Sequence, residues 1–166
     1  MATTRWGVIA IALAALMRAR TGWRDPDTRG TDKPFFLGPQ YGAHNETAPV
    51  WLAIAWSGDP ESPEDAGQWD QEVAGHAASN RPRNETGTLD FMVQANRGDT
   101  DFESAITDAI AALADMETAV RDDPYIGLGA ASNTWHVQVV SGTPRLYFDQ
   151  GAVCEIKGQL QYRARI

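Results

Sequence analysis

Three histidines, one cysteine and a cluster of four carboxyls are the side chains of this 166-residue sequence best suited to metal or proton chemistry. His44, His76 and His136 lie far apart, in neither H-x-x-x-H nor H-E-x-x-H spacing, and Cys154 alone makes no C-x-x-C, so no zinc geometry is written here. Asp59, Glu61, Glu64 and Asp65 crowd one segment and would attract a divalent cation, but the D-x-D-x-D-G order of a calcium loop is missing. A solvated acidic loop accounts for them. Gly127-Leu128-Gly129 has no third glycine and no preceding strand, and no G-x-x-x-x-G-K-[ST] occurs, so phosphate cradling is unsupported. There is no G-x-S-x-G elbow, and the paired carboxyls fall on positions expected to be exposed, where nothing would tune a pKa for acid–base work. Asn45-Glu46-Thr47 and Asn84-Glu85-Thr86 match the glycosylation sequon, which matters only in a secreted chain. The expectation is a protein without a catalytic site, metal or cofactor.

Composition narrows the class further. Twenty-two acidic against fourteen basic residues leave a net charge of −8, the wrong sign for gripping phosphate backbones. The basic residues are scattered, grouping only as Arg18 with Arg20, Arg81 with Arg83 and Arg163 with Arg165; such pairs solvate a surface or contact a protein partner. Apolar residues make up 43% of the chain, including six Trp and five Phe, enough to offset the entropy of ordering one domain over residues 1–166. Cys154 cannot form an internal disulfide and reads as a small buried residue of a reducing cytosol.

The elements that must position any site can be read from periodicity. Residues 6–17 are an apolar run too short to span a bilayer and without a convincing cleavage site; Ile9, Leu13, Leu16 and Met17 share one stripe of a core-packing helix. Residues 21–49 are rich in Gly, Pro, Asp and Thr around Phe35 and Phe36, and form a long loop or arm. Either the arm orders against a partner through those aromatics or it tucks onto its own domain. Strands are expected at 50–56, 69–77 and 88–95, paired as an antiparallel meander.

A helix over 101–121 follows, capped by a Thr100/Glu103 box, with Phe102, Ile106, Ile110, Leu113, Met116 and Val120 at helical spacing. It stops at Asp122-Asp123-Pro124, where two acids face the negative end of the helix dipole and break a local rule. Strands then fall at 135–140 and 145–149 about a Ser141–Pro144 turn, and from 152 to the end. From Cys154 to Ile166 apolar and polar residues alternate, interrupted only at Gly158, where a bulge would bend the strand. Thirteen residues in extended form cover about 43 Å, against a radius of gyration near ~15 Å for a domain of this length, so part of this strand is expected to lie against a neighbouring subunit. The fold class is α+β: a mainly antiparallel sheet packed against an N-terminal helix and one long central helix.

This order of elements, with the long helix ended by Asp123-Pro124-Tyr125-Ile126-Gly127 and a final strand ending Ala164-Arg165-Ile166, resembles the tail terminator (tail completion, head–tail joining) proteins of long-tailed bacteriophages, especially those infecting actinobacteria. The likeness spans roughly residues 50–166. It implies a virion protein of the tail–neck region, assembled in the host cytoplasm as a homo-oligomeric, six-membered ring. Such a ring caps the tail tube, ends its polymerisation and presents the surface where the head docks. The partners implied are the tail-tube protein and a head-completion or connector protein, with no membrane. Genomic DNA would pass through the lumen without specific binding, and six acidic subunits suit that passage. Phe35, Phe36, Asp122, Asp123, Pro124, Tyr162, Arg163 and Arg165 are the expected subunit or partner contacts, with the acids of one patch meeting the arginines of another across a heterologous interface.

Other readings of the residues stay open beside it. A head-side connector (stopper) or a tail-tube subunit belongs to the same class. A secreted ligand-binding module, with the first helix as a cleaved signal, belongs to another, as does a hydrolase using the acidic loop.

Overall fold

The computed structural model describes residues 4–26, 30–38, 48–56, 67–73, 83–129 and 134–165. Helix α1 (Trp6–Arg18) and strands β1 (Trp23–Arg24), β2 (Lys33–Leu37), β3 (Val50–Ile54), β4 (Trp69–Val73) and β5 (Arg83–Arg97) come first. Helix α2 (Phe102–Asp122) follows, then β6 (Thr134–Phe148) and β7 (Ala152–Arg165). The strands form one sheet in the order β1-β2-β3-β5-β7-β6, with β4 also on β5. Pairing is antiparallel except for β1–β2 and β2–β3. The α+β class is therefore as expected, with two helices among the described residues on a mainly antiparallel sheet.

Both helices cover the same face. The alternation of β5 and β7 aims Leu89, Phe91, Val93 and Ala95, and Cys154, Ile156, Leu160 and Tyr162, into one core with Ile9, Leu13 and Met17 of α1. On the opposite face Phe36, Trp51, Ala53, Trp56 and Met92 make a smaller cluster, with Trp51 stacked on Trp56 and edge-on to Phe36, both at 6.0 Å between ring centres.

Several expectations need correction. The meander is replaced by a hub: β3 and β4 do not pair with each other but share one edge of β5, β4 along residues 83–87 and β3 along 91–95. The segment 21–49 contains β1 and β2, so Phe35 and Phe36 are strand residues of the chain's own core, at 0% and 1% exposure; they are not arm aromatics held out for a partner. Residues 27–29 and 39–47 of that segment lie outside the described residues, as do the acidic cluster at 59–65, His44 and His76.

The two strands expected at 135–140 and 145–149 are one, β6. Pro144 sits in the outermost strand of the sheet, where a missing N–H costs no ladder bond on the solvent side, so Ser141–Pro144 continues the strand. The irregularities fall on β6, between Trp135 and Gln138 and between Val139 and Ser141, while β7 runs in unbroken register past Gly158. That glycine answers to crowding: a Cβ there would stand 2.1 Å from the Ser141 carbonyl oxygen and 2.5 Å from Cζ of Phe91. The long final strand is also satisfied internally, with β5 on one side and β6 on the other, so it offers no edge to a neighbour.

Helix α2 starts one residue later than the sequence signal. Asp101, not Thr100, caps it, its carboxyl accepting from the Ser104 N–H at 2.9 Å. Its buried stripe is Ala105, Ala109, Ala112, Met116, Ala119 and Val120, and Ile110 is 55% exposed. With the alanines turned inward, the larger Phe102, Ile106 and Leu113 pack only partly buried at its flanks.

Candidate interaction surface

The strongest concentration of polar chemistry is buried. Glu85 has no exposed surface, and its carboxyl accepts from Thr4 Oγ1 (2.9 Å), the Arg5 N–H (2.9 Å), Tyr162 Oη (2.8 Å) and Gln71 Nε2 (2.9 Å). Four donors from three separate segments meet on one side chain, tying the start of α1 to β4, β5 and β7. A carboxyl with its lone pairs so committed and no path to solvent has nothing left for a substrate, so this is a structural node. Tyr162, an expected partner contact, is part of it and fully buried; burial first and then the Glu85 carboxyl push its pKa well above the usual tyrosine value. Cys154 is buried as expected, and burial followed by the Glu155 charge raises its thiol pKa.

The helix-end residues are brought together, with a different role for one of them. Asp123 is the C-cap of α2, and its carboxyl accepts from the N–H groups of Tyr125 (3.1 Å) and Gly127 (2.6 Å). This folds Pro124–Gly127 into a tight turn in which Ile126, at φ 49°, is driven into the core. The two acids at the negative end of the dipole are thus accounted for inside the chain: Asp123 holds the turn, and Asp122 pairs with Arg20 at 3.7 Å. Pro124 does reach a surface. With Val120, Arg121, His136, Val137 and Val139 it lines an open groove of about 360 Å³ between the end of α2 and the start of β6. His136 stands there at φ 59°, its ring nitrogen Nε2 at 2.9 Å from the Gln138 side-chain oxygen.

Arg163 and Arg165 are exposed on the face of the sheet away from the helices, opposite Thr86 and Asn84 of β5. Gln159 on the same face donates to Asp90 at 2.9 Å. Asp115 accepts from Trp23 Nε1 (3.2 Å) and Lys33 Nζ (2.7 Å), and so fastens β1 and β2 to α2.

What the sequence did not announce is the edge. Among the described residues no strand pairs with the outer side of β6, a 15-residue strand that leaves Val140 46%, Leu146 50% and Phe148 63% exposed. Register places Leu146 and Phe148 across from Cys154 and Ala152, on the helix-covered face but beyond the helix. An unpaired edge flanked by bare apolar side chains is the arrangement that natural sheets avoid unless another chain adds to it. The signal was present in the run Arg145-Leu146-Tyr147-Phe148, but alternation alone cannot say which strand ends a sheet.

Among the described residues, no three His, Cys, Asp or Glu side chains gather closely enough to hold a metal ion, and no helix is long and apolar enough to cross a membrane. No protein-family model matches the chain, and no curated protein matches it.

Proposed function

We propose that this chain is a structural subunit of a phage virion, forming a ring that caps the tail tube, ends its polymerisation and provides the head-docking surface. The observation that carries the reading is the free β6 edge with its exposed Leu146 and Phe148, a surface built for a protein neighbour. The long helix closed by Asp123-Pro124 and the terminal strand laid against β5 are the features on which the likeness to tail terminators rests, and their geometry is compatible with it. Asp101, Asp122 and Asp123 are engaged within the chain, in a cap, an ion pair and a turn.

The reading is tested by negative-stain microscopy of particles assembled without this protein. Overlong or headless tails are expected. Normal free tails beside filled heads would move the role to a head-side connector, and normal infectious particles would end the assembly reading.

A further inference from the structure

Two exposed apolar patches stand at opposite ends of the sheet. One is the tip of the β6–β7 hairpin, where Leu146 and Phe148 project from the last strand of the order. The other is an open groove of about 290 Å³ beside β2, near the far end, whose walls are Trp6, Gly7, Ala10, Ile11 and Leu37, with Ile11 62% exposed. We infer that these patches meet between copies of this chain, with Phe148 and Leu146 of one subunit entering the α1–β2 groove of the next.

Placement makes the contact intermolecular. Strands β3, β5 and β7 separate β2 from β6, so one chain cannot bring its own hairpin tip to its own groove. A contact between two different patches is heterologous, the type that closes a ring when the rotation allows. Chemistry makes the fit: the groove is lined by apolar side chains and glycines, and a phenylalanine is the side chain with the most apolar area to lose there.

Gly7 is an independent pointer. Glycine in a helix carries an entropic cost, and nothing among the described residues asks for it, since a Cβ there would meet none of their atoms within 4 Å. Its bare backbone leaves room for a side chain arriving from outside. Charge agrees as well. Arg5 precedes the groove and Asp149 follows Phe148, and neither side chain makes an ion pair among the described residues. Docking Phe148 in the groove carries Asp149 toward Arg5.

Sedimentation velocity on the full chain tests this. The wild type is expected to associate, and Phe148→Asp and Ile11→Asp are each expected to weaken association roughly a hundredfold, the loss typical of a buried anchor. Because each variant keeps one working patch, mixing the two should give one-to-one dimers that grow no further, which also shows that both are folded. Arg5→Glu and Asp149→Arg should each weaken association by about tenfold, and the doubly changed chain should recover it; Arg5 serves Glu85 only through its backbone N–H, so its side chain is free to change. A monomeric wild type, a Phe148→Asp variant that associates like wild type, or a mixture that stays monomeric would each overturn the contact. The inference deepens the ring reading, and the two fail separately. Association through another surface removes this contact and leaves the ring, whereas normal tails in particles lacking the protein remove the tail role and leave the contact.

Discussion

Gly87 stands directly across the β5–β7 ladder from Tyr162, and a Cβ on it would lie 2.4 Å from the Tyr162 hydroxyl oxygen. The glycine is the space in which the tyrosine reaches Glu85. Gly87→Ala is therefore expected to push the ring off its hydroxyl partner and overpack the core, at a cost of about 1 to 3 kcal/mol. Urea unfolding of the purified variant measures it; a midpoint equal to wild type would mean that the ring has another place to go.

The Glu85 node predicts both a ranking and a pH dependence. Tyr162→Phe removes one donor and should cost about 1 to 3 kcal/mol. Glu85→Ala strands donors from Thr4, Arg5, Gln71 and Tyr162 together and should exceed about 4 kcal/mol, the range reached only when a buried network is broken. In the unfolded chain a tyrosine releases its proton near pH 10, roughly its unperturbed value, whereas burial and Glu85 hold the Tyr162 proton to higher pH in the folded state. Below pH ~10 both states keep the proton and the contribution is whole; above it the unfolded state binds fewer protons, so stability falls as pH rises. Tyr162→Phe should flatten that fall by about 1.4 kcal/mol per pH unit. Tyr147, raised by burial and then by the charges of Glu155 and Asp149, remains in both proteins as a common background. Parallel alkaline profiles for the two proteins would remove Tyr162 from the account.

Asp123 gives a prediction at the helix end. Its carboxyl takes two backbone N–H groups of the turn that seats Ile126, so Asp123→Ala should cost about 1 to 2 kcal/mol, as loss of a side-chain cap does. The two N–H groups fall on different carboxylate oxygens, so Asp123→Asn keeps one acceptor, sets an amide donor against the other N–H and should recover only about half of the loss. Thermal unfolding of the pair decides the matter: equal losses in both variants would mean that charge, and not the capping oxygen, holds the turn.

The parts of the fold that sequence made legible are those set by a single period. α1, α2, β5 and β7 each carry a sustained pattern, broken in β7 only at Gly158, and each lies within a few residues of where that pattern placed it, although β5 extends back to Arg83. The misses share a physical cause, which is that local pattern does not encode neighbours. Pro144 reads as a turn until β6 is known to be the edge strand, and Phe35 reads as an exposed aromatic until β2 is known to lie between β1 and β3. Asp123 and Tyr162, expected as subunit or partner contacts, have their carboxyl and hydroxyl engaged inside the chain. Arg163, Arg165 and Pro124 do reach the surface, and the exposure of Leu146 and Phe148 comes from their place on the edge strand, which local alternation does not encode.

Helix α2 turns that lesson into a final prediction. By side-chain size the sequence nominates Ile110 as core and Ala109 as filler; the structure reverses them, with Ile110 55% exposed and Ala109 at 0%. Ala109→Leu should force a larger side chain into the closest approach of helix and sheet and cost about 1 to 3 kcal/mol. Ile110→Lys should shift monomer stability by no more than about 0.5 kcal/mol, as surface changes usually do, since lysine is a strong helix former. The two are compared by chemical unfolding at a concentration low enough to keep the chain monomeric. If Ile110→Lys proves the costlier substitution, α2 sits on the sheet through its large residues, and the alanine seam is not what brings the helix close.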